Sequence, residues 1–219
     1  MRPTHVIFDL DNSLYPPHRG VVDTETLAHE AGDQDVDLLH DAAANALRTR
    51  YYTDYGTTLA GLMRHHDVLP DEYLAAVHAI DIEALLEPDA ALRAMLLGLP
   101  YTRVVFTNGS ALHAERVLGR LGVADCFADV FGLERVAYVA KPRAAAFEAV
   151  LAALGAAAVD CVFVDDRRDS IRTAGHLGMT TVLVDHGQPR ADDGDGLRVT
   201  SVLELPELLA AVEQRAPSR

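Results

Sequence analysis

Short apolar runs alternate with helical stripes along most of this 219-residue chain. Val6-Ile7-Phe8 opens the pattern as a continuous run of strand-forming residues. Pro16-Pro17-His18-Arg19-Gly20 then redirects the chain, and the period changes. From Asp35 to Tyr55 the positions Val36, Leu39, Ala43 and Leu47 recur at helical spacing. Thr57 to His66 caps and carries Leu59, Leu62 and Met63, and Pro70 to His78 carries Tyr73, Leu74 and Val77. No strand pattern lies between Tyr15 and Pro88, so this stretch reads as an all-helical insert.

Beyond Pro88 the two periods interleave. A helix through Leu92, Met95 and Leu96 stops at Gly98 and Pro100. Strands are predicted at Val104–Phe106, Val130–Phe131, Cys161–Val164 and, as the last one, Thr181–Val184. Helices are predicted between them at Ala111–Leu121, with Leu112, Val117 and Leu118 inward, at Arg143–Leu154 and at Ser170–Leu177. Each ends at a glycine: Gly122, Gly155 and Gly178. Gln188 to Gly196 reads as a surface loop, and Pro206 to Val212 as a closing helix. Alternating strands and helices imply an α/β fold, a three-layer Rossmann-like core with a parallel sheet. The apolar runs are near-continuous, as suits strands covered on both faces.

Ligands in such sheets sit at the carboxyl ends of strands. Three strand ends here are polar: Asp9 and Asp11, Thr107-Asn108-Gly109, and Asp165-Asp166. Acids at the edge of a core are costly unless they hold a cation or a partner. One carboxylate to attack, one to move protons and a hard cation to bind both is the chemistry this pattern suggests.

Bulk properties narrow the partners. The formal net charge of −14 argues against a nucleic-acid polymer as partner and requires local positive charge for an anionic substrate. Cys126 and Cys161 have apolar neighbours and read as reduced, partly buried thiols. No apolar run reaches membrane-spanning length, and acids at Asp9 and Asp11 interrupt any secretory apolar stretch. The expected setting is cytoplasmic, without membrane contact, as a monomer or homodimer.

Asp9-Leu10-Asp11-Asn12-Ser13 resembles the first motif of the haloacid-dehalogenase-like (HAD) hydrolases, with Ser13 where Thr is usual. Thr107-Asn108-Gly109, Lys141-Pro142 and Asp165-Asp166 resemble the second, third and fourth motifs. The resemblance implies a core of residues 1–15 and 88–219, with residues 16–87 as a small helical cap. It implies Asp9 as nucleophile, Asp11 as general acid/base, and Lys141 as the cation that neutralises the phosphoryl group. Thr107, Asn108, Gly109 and Lys141 would bind phosphate. Magnesium (Mg2+) would be held by Asp9, by Asp11 through its carbonyl, by Asp166 directly and by Asp165 through water, with the last two interchangeable. Asp169 is open to two roles, orienting Lys141 or pairing with an arginine. Arg167 and Asp169-Ser170 depart from the pyrimidine 5′-nucleotidase-type group of this superfamily, which has a small Ser and an Arg-Asn-like pair there.

Within the superfamily the chain looks most similar to the pyrimidine 5′-nucleotidase-type group, on Leu14-Tyr15-Pro16-Pro17 and on Tyr51-Tyr52-Thr53-Asp54-Tyr55-Gly56. The implied activity is magnesium-dependent hydrolysis of a small phosphorylated metabolite, with a pyrimidine nucleoside 5′-monophosphate among the candidates. Tyr15, Tyr51, Tyr52 and Tyr55 are the candidate substrate-selecting rings. His65-His66 reads as a solvated helix end. Two alternatives stay open: a haloacid-dehalogenase-type hydrolase, which needs neither the second acid nor a metal, and a non-catalytic phospholigand-binding module on the same scaffold.

Overall fold

The computed structural model describes residues 3–21, 42–188 and 196–215. Six parallel strands form one sheet in the order β3-β2-β1-β4-β5-β6. They are β1 His5–Phe8, β2 Thr102–Phe106, β3 Asp129–Phe131, β4 Cys161–Asp165, β5 Thr180–Val184 and β6 Leu197–Val199. The strand order reverses between β1 and β4, so the crevice expected to hold a ligand lies at their carboxyl ends. Thr181–Val184 is therefore not the last strand. A three-residue strand such as Leu197-Arg198-Val199 is too short to show a period of two, and the sequence reading passed over it.

The pleat sorts the strand side chains into two cores. Val6, Phe8, Val105, Val162 and Val164 face one way, against helices α5 Ala90–Gly98, α6 Ala111–Leu121 and α9 Leu205–Arg215. Ile7, Val104, Phe106, Cys161 and Phe163 face the other, against α7 Ala144–Leu154 and α8 Arg168–His176. Three layers result, as the alternation of periods predicts. On α6 the apolar stripe is Ala114, Val117, Leu118 and Leu121, joined by His113. Leu112 is 64% exposed, contrary to expectation, because it sits two residues before Ala114 and so on the opposite side of the helix.

Between β1 and α5 the described residues hold helices α1 Ala42–Tyr55, α2 Thr58–His65, α3 Pro70–Val77 and the one-turn α4 Ile82–Leu85, and no strand. The part of the predicted first helix before residue 42 lies outside the described residues, as does most of the predicted loop from Gln188 to Gly196. Leu59 and Leu74 from this helical stretch join the same apolar cluster as Ile7 and Phe163. Arg143 donates to the Tyr55 carbonyl at 3.0 Å, and the Tyr138 hydroxyl donates to Asp71 at 2.5 Å. Cys126 and Cys161 are free and buried. No described helix is long and apolar enough to cross a membrane.

One close approach fixes how β3 meets α6. A Cβ at Gly132 would lie 2.3 Å from the backbone nitrogen of Ala111 and 2.9 Å from the Ser110 carbonyl carbon. Backbone cannot swing aside as a long side chain can. Gly132→Ala should therefore destabilise the fold by about 1–3 kcal/mol, read as a lower midpoint in urea with an unchanged m-value.

Candidate active site

The parallel register builds the site. Phe8 lies opposite both Val105 and Val164, so the next residues along, Asp9, Phe106 and Asp165, come level across three strands. The Asp9 backbone N–H donates to the Val164 carbonyl at 2.8 Å and holds that alignment. Asp9 and Asp165 continue the alternation of Ile7 and Phe163 and so project toward that face of the sheet.

Lys141 enters this row from the loop before α7. Its ammonium donates to Asp9 Oδ1 at 2.6 Å, to the Phe106 carbonyl at 2.8 Å and to Asp165 Oδ2 at 3.0 Å. All three of its protons are thereby used, and the rings of Phe106 and Phe163 flank it at 5.1 and 5.5 Å. The side chain is 1% exposed, so it is not a surface lysine. Burial works against its charge, but Asp165 and Asp9 outweigh that and hold it protonated well above the ordinary lysine range.

The acids outnumber this cation. Burial pushes Asp9 up to about 7, with Asp165 and Asp11 adding to the rise and Lys141 only partly opposing it. Asp166 rises to about 8, through burial and then the charges of Asp9 and Asp165. Asp9, Asp165 and Asp166 each offer an oxygen within 4.8 Å of the others. Hard oxygen donors carrying more negative charge than one ammonium can balance fit a hard divalent cation. Both Asp165 oxygens already have donors, Lys141 and the Arg167 backbone N–H at 2.7 Å. Ser13 accepts from the Asp166 backbone N–H at 3.1 Å and donates to Asp9 Oδ2 at 2.9 Å, tying the first and fourth motifs together.

Asp11 occupies a different environment. Its Oδ1 accepts from the Tyr15 hydroxyl and lies 3.4 Å from His113 Nε2; its Oδ2 faces the Thr107 hydroxyl at 3.5 Å. Burial works to raise this carboxyl, but His113, Tyr15 and His78 outweigh it and hold the group below the usual carboxylate range. The His78 ring stacks on His113 with centroids 4.3 Å apart. Burial, with the neighbouring His113, lowers His78 to about 3, so it stacks as a neutral ring. Neither histidine belongs to a motif recognised in the sequence. His113 sits at i+3 from Ser110 on the buried stripe of α6, where a polar residue among apolar ones was the available signal.

The remaining predicted residues have settled positions. Thr107 is buried, and its hydroxyl also accepts from the Gly109 N–H at 2.9 Å. Asn108 clasps the Lys141 backbone from both ends, accepting from its N–H at 2.8 Å and donating to its carbonyl at 3.0 Å. Gly109 packs where a Cβ would come within 3.3 Å of His78 and 3.4 Å of His113. Asp169 pairs with Arg167 and does not touch Lys141 in any hydrogen bond found among the described residues. Of the four tyrosines, Tyr15 is buried beneath Asp11, and Tyr51 is buried with its hydroxyl 2.9 Å from His66. The Tyr55 hydroxyl lies 2.6 Å from His65, so the two histidines serve these tyrosines rather than forming a purely solvated end. Tyr52 is 42% exposed, with the Arg167 guanidinium over its ring at 5.2 Å.

The arrangement presents a buried carboxylate beside a fixed ammonium, a hydroxyl, a second carboxylate in hydrogen-bonded surroundings and a cluster suited to a divalent ion. Comparison with known proteins places it. Residues 3–178 match the family described as haloacid dehalogenase-like hydrolase. The chain is 27% identical over 199 residues to Phosphate metabolism protein 8 of Saccharomyces cerevisiae, covering 80% of this chain and 60% of that one. It is 36% identical over 114 residues to Phosphatase MT3486 of Mycobacterium tuberculosis, covering 52% and 49% respectively. It thus spans about half to three-fifths of the length of these curated relatives. Among solved structures it shares its fold with the HAD-hydrolase YfnB of Bacillus subtilis bound to magnesium, at TM-score 0.63 and 17% identity over 95% of this chain and 99% of that one. The family match over most of the chain, on a six-stranded parallel sheet with all four motif positions gathered at its switch point, shows that the chain belongs to the haloacid dehalogenase-like hydrolases.

Proposed function

We propose that the chain is a magnesium-dependent phosphatase that hydrolyses a small phosphate monoester through an aspartyl-phosphate on Asp9. The observation that carries this reading is the convergence of Asp9, Lys141, Asp165 and Asp166 at one strand-end level, with Asp11 and Thr107 beside them. Magnesium held by Asp9, Asp166 and the Asp11 carbonyl would supply charge neutralisation for the phosphate and the nucleophile. Lys141 holds Asp9 ready by its 2.6 Å hydrogen bond and, with its three protons already placed, acts on the phosphoryl oxygens through its charge, while the Thr107 hydroxyl is the donor for them. Asp9 attacks phosphorus and the leaving oxygen departs. Asp11 protonates that oxygen and then takes a proton from the water that releases phosphate. A phosphate dianion arriving beside Asp11 raises its proton affinity, which suits the acid role.

Residues 16–87 act as a cap over a core of 1–15 and 88–219, and close the mouth against water. Tyr52, exposed and beside Arg167, favours a planar anionic substrate such as a pyrimidine nucleoside 5′-monophosphate. A cytoplasmic setting suits two buried free thiols. The presence of Asp11 and of the three-acid cluster favours the phosphatase over a haloacid dehalogenase, which needs neither.

A panel of phosphate monoesters with and without magnesium tests the reading. Turnover should require the cation, and release of chloride from a chloroacid without magnesium would overturn the assignment. Asp9→Asn should lower turnover by at least about a thousandfold, since a nucleophile knockout leaves only binding and electrostatic terms. Steady-state assay of the purified variant checks this.

The raised carboxyls set a pH dependence. Asp9 and Asp166 keep their protons in the folded chain up to about 7 and about 8, against an ordinary 3.8. The unfolded chain releases these protons first, so the metal-free fold loses stability from these groups as pH rises from about 4 toward 8. A bound cation displaces both protons and removes the penalty. Magnesium should thus raise the melting temperature little near about pH 5.5 and much more near about pH 8. A magnesium increment that is flat across that range, measured by differential scanning fluorimetry, would contradict it.

A further inference from the structure

We propose that His113, braced from behind by His78, is a positioning residue that fixes which oxygen of Asp11 handles the proton. The inference rests on the phosphatase reading, in which Asp11 serves as general acid. The two Asp11 oxygens are not equivalent. Oδ1 faces two side-chain donors, the Tyr15 hydroxyl and His113 Nε2 at 3.4 Å. Oδ2 faces the Thr107 hydroxyl at 3.5 Å, and Thr107 is a phosphate-binding residue in that reading. An oxygen that accepts from two donors has little capacity left for a proton of its own. When Asp11 takes up a proton, Oδ2 is therefore the oxygen that carries it toward the leaving oxygen, and a carboxyl held in one rotamer delivers it without a search.

His113 is itself over-determined. Its backbone N–H is capped by the Ser110 hydroxyl at 3.1 Å, at the start of α6. That same hydroxyl lies 3.1 Å from His78 Nδ1, and the two imidazoles stack with 17° between their planes. His78 is the residue that ends α3, and its carbonyl and that of Ile80 accept from Arg116 at 2.9 and 2.8 Å. Gly109 leaves the space both rings occupy, since a Cβ there would press on each. The end of a helix in the inserted stretch is thereby joined through two rings to the acid.

The test separates positioning from general damage by the leaving group. An alkyl phosphate, such as a nucleoside 5′-monophosphate, must expel an alkoxide, a poor leaving group that needs a proton. p-Nitrophenyl phosphate expels the stable p-nitrophenolate, which does not. kcat/KM reports the first phosphoryl transfer, to Asp9, for both esters. In His113→Ala, kcat/KM for the alkyl ester should fall about 10- to 100-fold while that for p-nitrophenyl phosphate falls by less than about threefold. His113→Gln, which keeps an N–H donor, should recover most of the loss. Tyr15→Phe removes the other donor on the same oxygen and should show the same split, which keeps the test usable if His113→Ala does not fold by circular dichroism. An active wild type whose variants lose equal factors on both esters, or neither, overturns the positioning role alone. A wild type inert toward every ester overturns the phosphatase reading and the positioning role with it.

Discussion

The buried ammonium of Lys141 is the interaction on which the rest of the site depends. Three acids, Asp9, Asp165 and Asp166, stand within a few ångströms at the ends of β1 and β4, and this single amine donates to two of them, Asp9 and Asp165. Its position is in turn dictated from several directions. The backbone carbonyl of Phe106 takes its third proton, the Phe106 and Phe163 rings wall it in, and Asn108 pins its peptide from both sides. Removing a partner from a buried charge network leaves the others uncompensated, which costs far more than the network contributes net. The cluster is accordingly better understood as a specification of geometry than as a source of stability.

That geometry separates two carboxylates that lie two residues apart in sequence. Asp9 lies in the Lys141 row, where burial and neighbouring acids raise it. Asp11 turns toward Tyr15 and His113, where donors hold it down. The turn between them is stabilised from outside: Asn12 adopts a left-handed φ of 61°, and its carbonyl lies 2.5 Å from His186 Nε2, beyond the end of β5. Environments that push two carboxyls apart are how one site supports nucleophilic and proton-transfer roles together. Here the division follows from the local backbone turn, which sends the first acid along the pleat and the second away from it.

Much of this was legible in the sequence because it rests on local signals. Continuous apolar runs gave the central strands, helix-ending glycines such as Gly122 and Gly155 gave the boundaries, and polar residues after three of those runs gave the level of the site. What was not legible depends on which strand lies beside which, or on which way one side chain turns. Ser13 stands where Thr is usual, and its hydroxyl donates to Asp9 while accepting from the Asp166 backbone 153 residues further along the chain. Asn108 looked like part of a phosphate loop, yet its amide is committed to Lys141. The tyrosines looked alike as ring donors, yet burial distinguishes Tyr15 and Tyr51 from the exposed Tyr52. Long-range pairing and burial leave no periodic trace, and so these roles are written only in the folded chain.

The histidines follow the same logic one step further. A histidine on the buried stripe of a helix would ordinarily satisfy itself locally, and the one at position 113 instead faces an acid that is 102 residues earlier in the chain. Its stacking partner, His78, belongs to the inserted helices and is kept uncharged by burial, so the pair can sit in van der Waals contact without mutual repulsion. An uncharged His78 thus lets the inserted stretch reach the ring of His113, and through it the neighbourhood of Asp11, by packing.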